Sequence, residues 1–188
     1  MHNAVNVPNA VSVARLLLIP VFVWLVLVDQ MAWAGALLAV IGATDWIDGY
    51  LARRLDQVTE VGKMLDPIAD RLAVAVAVVL GLVVGVLPAW FGWAIIIREI
   101  VIGVGAVYGW SKGVRRLDVR WLGKTATFLL YFAVTLFYLA DGVAWDWLWW
   151  GAVALGLPGI ALYYVVAFEY LGDMRKAIAT SGDPGDAQ

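Results

Sequence analysis

Residues 71–110 read RLAVAVAVVLGLVVGVLPAWFGWAIIIREIVIGVGAVYGW, two apolar runs parted at Pro88. The first extends upstream to Gly62. Spans 62–87 and 89–110 are each long enough for the roughly 20-residue path through a hydrocarbon core about 30 Å thick. Proline at the junction disfavours the helical conformation of the residue before it, so the pair predicts two helices with a tight reversal between them. The same pattern recurs on both sides, over 11–28, 31–52, 119–140 and 147–171. With 63% hydrophobic and 15% charged residues in 188, an ordinary soluble domain is excluded. The expected fold is therefore an all-α integral membrane protein of six transmembrane helices. Residues 1–176 are expected to form one catalytic domain, and 177–188 a disordered cytoplasmic tail. The first span is read as a resident helix, not a removable leader.

Basic residues assign a side to each loop, because short cytoplasmic loops retain Lys and Arg. Arg53, Arg54, Lys63, Lys112, Arg115, Arg116, Arg120, Lys124, Arg175 and Lys176 fall at or near the end that carries both termini. The opposite loops, at 29–30, around 88 and at 141–146, contain no Lys or Arg. That end is expected to face away from the cytoplasm, with Trp145, Trp147, Trp149 and Trp150 forming an interfacial belt. Cysteine is absent and His2 is the single histidine. Thiolate chemistry, disulfides and thiolate-ligated metals are thus excluded, and acid–base work falls to carboxylates, Lys or Tyr. No basic module with interleaved aromatics points to nucleic acid.

Four carboxylates interrupt the apolar runs in the pattern Asp45-x2-Asp48-Gly49-x2-Ala52-Arg53-x8-Gly62-x3-Asp66-x3-Asp70. An Asp at the centre of a span costs roughly 2.5–3.5 kcal/mol on insertion scales. Four of them, deep and uncompensated, would cost on the order of 10 kcal/mol. On helices, Asp45, Asp48, Gly49 and Ala52 share one face, and Gly62, Asp66 and Asp70 share another. Antiparallel packing of the second and third spans, favoured by their short connection, would turn both faces to one volume. All-oxygen ligation selects hard ions, so the acids are read as holding two Mg2+ or Mn2+, a pair suited to phosphate chemistry. Taken singly, Asp66 before Pro67 could cap a helix and Asp48-Gly49 could form a turn. Eight specified positions within 26 residues outweigh those separate readings.

The run resembles the signature of the CDP-alcohol phosphatidyltransferases at every position. The chain is also similar to the bacterial phosphatidylglycerophosphate synthase branch at Pro8-Asn9 through Arg15, at Arg98-Glu99 and at Gly123-Lys124. The resemblance implies metal ligation by Asp45, Asp48, Asp66 and Asp70, with Asp70 also the base. It implies that Gly49, Arg53 and Thr59 hold the CDP-lipid, that the enzyme is a homodimer in the bacterial cell membrane, and that its active site is cytoplasmic. The expected reaction transfers a phosphatidyl group from CDP-diacylglycerol to glycerol 3-phosphate. Other acceptors are phosphatidylglycerol, which would make a cardiolipin synthase, and inositol phosphate. A divalent-cation transporter is the alternative from another class.

For the acceptor phosphate the candidates are Arg98, Lys124 and Arg15. Arg98 stands inside an apolar span, and neighbouring residues on a helix point apart, so a local pair with Glu99 is expected to be poor. Gly103 and Gly105 are read as sites of close helix packing.

Overall fold

In the computed structural model the chain forms six helices: α1 (Val7–Leu27), α2 (Met31–Leu55), α3 (Glu60–Val83), α4 (Ala89–Ser111), α5 (Trp121–Val143) and α6 (Asp146–Ser181). The structure describes the backbone of residues 7–55, 60–112 and 121–181, and the surroundings of side chains at 14–44, 71–112 and 121–178. Among the described residues all regular structure is helical. Within those residues α4, α5 and α6 are each long and apolar enough to cross a membrane, and α1, α2 and α3 contribute shorter apolar segments.

Short reversals join the helices at one end of the bundle. In the α1–α2 turn Asp29 takes a left-handed conformation (φ 60°), and the Gln30 amide closes on the Leu25 carbonyl at 2.8 Å. The α3–α4 turn uses Gly85 at φ 81°, where a side chain would be strained, and returns the Leu87 amide to the Gly81 carbonyl at 2.9 Å. Proline at the start of α4 stands where a helix needs no amide donor. Its carbonyl accepts from the amides of Phe91 and Gly92.

Helix α5 is the central post, packed against α2, α3 and α6. Its contact with α2 is close enough to exclude side chains: a Cβ on Gly142 would fall on the backbone of Ala32, and one on Gly35 would come within 2.8 Å of the Leu139 nitrogen. Small residues let helix backbones approach in this way where lipid offers no hydrophobic drive. Tyrosines tie the post to its neighbours. Tyr138 donates to the Ala77 carbonyl of α3 at 2.8 Å, and Tyr131 donates to the Leu38 carbonyl of α2. A carbonyl already engaged in its helix has a second lone pair for such a bond. Around Tyr138 the core is aromatic, with Phe22 of α1 edge-on at 5.3 Å and Phe91 of α4 meeting Phe137 at 5.1 Å.

Among the described residues α1 lies against both α2 and α3, and α2 takes α5 as its main partner; the motif-bearing ends of α2 and α3, where antiparallel packing is expected, have side chains outside the described residues. One expectation needs correction, at the C-terminal tail. Helix α6 continues through 177–181, because Met174 is buried against Gly109 of α4 and carries the helix past its apolar stretch. Residues 182–188 lie outside the described part.

The tryptophans expected to form a belt do gather at the α5–α6 reversal. Trp145, Trp147 and Trp150 are exposed there, and Trp145 and Trp147 stack at 5.9 Å.

Candidate active site

The acidic motif occupies the ends of α2 and α3 that are consecutive in sequence. Asp45, Asp48, Gly49 and Arg53 belong to the C-terminal half of α2, and Asp66 and Asp70 to the N-terminal half of α3. The helical backbone runs unbroken through both sets, so the i, i+3, i+4 and i, i+4 spacings stay in helical register. Their side chains, and Thr59 as a whole, lie outside the described residues. Among the described residues no group of three or more His, Cys, Asp or Glu could hold a metal ion. What fits a divalent cation is the chemistry of the motif itself, an all-carboxylate set in a chain with no thiolate donor.

The three candidate acceptor cations stand on three helices in three environments. Arg15 of α1 is 2% exposed and interacts with another group of the chain. Lys124 is exposed in the first turn of α5. Arg98 of α4 has a side chain only 11% exposed and is built into a cluster.

Contrary to the expectation from helical geometry, Arg98 pairs with its neighbour, Nη1 lying 2.9 Å from Glu99 Oε1. Two long side chains can bend together although their Cβ atoms diverge, and a third residue supplies the floor. The Tyr163 ring of α6 lies under the guanidinium, 3.7 Å from Arg98 Cζ to the ring centroid. The Tyr163 hydroxyl donates to the same Glu99 Oε1. Arg98 Nε is buried and takes no hydrogen bond among the described residues. Arg71, the residue after Asp70, lies within electrostatic range of the Tyr163 phenol.

Tyr163 and Arg71 were not singled out by the sequence. The available signal was weak: a tyrosine in the middle of an apolar helix requires a polar partner for its hydroxyl, but nothing local names that partner. Gly105 is spent inside the chain, where a Cβ would come within 3.0 Å of Leu171, whereas Gly103 faces open space.

Residues 5–158 match the CDP-alcohol phosphatidyltransferase family, and the match includes the whole of the acidic motif. The chain belongs to that family. Its members are transferases and are generally dependent on divalent cations. With its apolar helices, this chain is a membrane protein and an enzyme of phospholipid biosynthesis. Among curated relatives, a putative cardiolipin synthase of Mycobacterium tuberculosis is 37% identical over 93% of this chain and 88% of its own length. The cardiolipin synthase (CMP-forming) of Streptomyces coelicolor is 36% identical over 74% of this chain and 68% of its own. A CDP-diacylglycerol–glycerol-3-phosphate 3-phosphatidyltransferase of Salmonella typhimurium is 36% identical over 95% of this chain and 96% of its own.

Proposed function

We propose that the protein transfers a phosphatidyl group from CDP-diacylglycerol to the hydroxyl of glycerol 3-phosphate, releasing CMP and forming phosphatidylglycerophosphate. The observation that carries the reading is the complete acidic motif on α2 and α3 inside the family match. All six helices are taken to cross the bilayer, with both termini, the basic loops and the motif on the cytoplasmic side, as the distribution of Lys and Arg favours. A homodimer is part of the proposal, on the family resemblance alone.

The alcohol oxygen attacks the β-phosphorus, the bond from that phosphorus to the bridging oxygen breaks, and the electron pair leaves with CMP. The acceptor hydroxyl loses its proton, and Asp70 is assigned to take it as the new bond forms. Asp45, Asp48, Asp66 and Asp70 are assigned to hold two Mg2+ or Mn2+ ions, which when bound neutralise pyrophosphate charge. Arg53 is assigned to the pyrophosphate, where its planar fork suits bidentate contact, and Gly49 and Thr59 to the rest of the CDP-lipid. With no cysteine and a single histidine in the chain, direct displacement without a covalent enzyme intermediate is the economical route.

For the acceptor, a phosphomonoester carries about −1.5 to −2 charges near neutral pH. Arg98, Arg15 and Lys124 are assigned to that dianion. The names of the Mycobacterium and Streptomyces relatives favour a second reading, in which phosphatidylglycerol, a monoanionic diester, is the acceptor. Purified protein given CDP-diacylglycerol with glycerol 3-phosphate, phosphatidylglycerol or inositol phosphate in separate reactions decides between them by CMP release. Turnover only with phosphatidylglycerol would replace the first reading with the second.

A further inference from the structure

We propose that Tyr163 is a positioning residue for the acceptor, clamping the Arg98 guanidinium in the orientation that receives the acceptor's phosphate. The inference rests on the assignment of Arg98 to that phosphate and adds what holds the cation in place.

Tyr163 restrains Arg98 in two ways. Its ring face lies 3.7 Å below Arg98 Cζ, close enough for a cation–π contact, which strengthens away from water. Its hydroxyl donates to Glu99 Oε1, the atom that also accepts from Arg98 Nη1. One carboxylate oxygen thus receives two donors, and the guanidinium is held from beneath and from one edge. The upper face remains, together with the buried Nε edge that has no hydrogen bond among the described residues. A planar fork with one edge tied and another presented is suited to a phosphate. Freed from that clamp, an Arg side chain regains rotamer entropy that binding must remove again.

A tie between α4 and α6 serving stability alone would look different, and such a tie stands next door. Tyr164 donates to the Ala94 carbonyl of α4 at 2.9 Å and is a backbone staple with no charged partner in that bond. The neighbouring tyrosines therefore provide an internal control.

The test measures KM for glycerol 3-phosphate, KM for CDP-diacylglycerol, kcat and the melting temperature in the full-length protein and in Tyr163→Phe, Tyr163→Leu, Tyr164→Phe and Arg98→Gln. Tyr163→Leu should raise the glycerol 3-phosphate KM about tenfold. Tyr163→Phe, which keeps the ring, should raise it about threefold. In both, KM for CDP-diacylglycerol should move less than about twofold, the split expected when one substrate's binding is impaired. Tyr164→Phe should lower the melting temperature and leave both KM values in place. The inference is overturned if Tyr163→Leu behaves like Tyr164→Phe, or if both KM values rise together. Should Tyr163→Leu fail to fold, Tyr163→Phe decides by the same criteria. If Arg98→Gln leaves the glycerol 3-phosphate KM unchanged, the assignment of Arg98 itself falls. If Arg98→Gln raises that KM and the Tyr163 variants do not, only the clamp is wrong.

Discussion

The two ends of this bundle are built from opposite materials. At the end with the short reversals, three turns without a single Lys or Arg are closed by backbone hydrogen bonds, flanked by exposed tryptophans and backed by the Phe22–Tyr138 and Phe91–Phe137 pairs. The other end carries the acidic motif and the basic loops, with Arg98 stacked on Tyr163 midway along α4. Packing at the first end is dense enough that glycine is required where α5 meets α2. At the second, polar groups are kept where each must be paired or await a ligand. The difference separates the work of holding the helices from the work of chemistry. Substitutions at one end should register in melting curves, and those at the other in kinetics.

The sharpest test of that division is Asp70→Asn. Removing the proposed base should lower kcat by about 10²–10⁴-fold, with the melting temperature close to that of the unaltered protein. CMP release near the original rate would break the assignment. Gly142→Val is the counterpart at the closed end. Driving a branched side chain into the backbone of Ala32 should cost about 3 kcal/mol of stability, and an unchanged melting curve would mean that the α2–α5 contact yields more easily than its geometry implies. Tyr138→Phe deletes the bond to the Ala77 carbonyl and should cost about 0.6 kcal/mol without altering either KM; a change in KM would show that the two ends communicate. Smallest is Trp147→Ala, an exposed ring at which a change within about 0.5 kcal/mol is expected.

Helix number and placement were legible because apolar run length and the interruptions at Asp29-Gln30 and Pro88 follow directly from the bilayer's dimension and from proline's missing amide. The expected start of the fourth span, Ala89, is the observed start of α4. Less local facts were hidden. No pattern around Val11 announces that α1 would lie against both α2 and α3, since apolar residues serve equally well against helix or lipid. The persistence of α6 to Ser181 depends on Met174 finding Gly109, 65 positions earlier. For the site, the acids declared themselves by charge in an apolar setting. The Arg98–Glu99 pair was misjudged because helical spacing fixes where Cβ atoms point, not where a long side chain ends. Tyr163 escaped notice because its partner lies 64 residues away.

The α2–α5 contact has a further consequence. Helix α2 continues from Met31 to Leu55, and a helix is a nearly inextensible rod rising about 1.5 Å per residue. Asp45 stands 13 residues beyond Ala32, or about 20 Å along the axis. The abutment of Gly142 on Ala32 therefore acts as a datum that sets the height of the first two motif acids from the opposite end of the helix. A slip of one residue there would move them by about 1.5 Å and turn them by about 100°, a miscalibration readable as a greater concentration of divalent cation needed for half-maximal turnover.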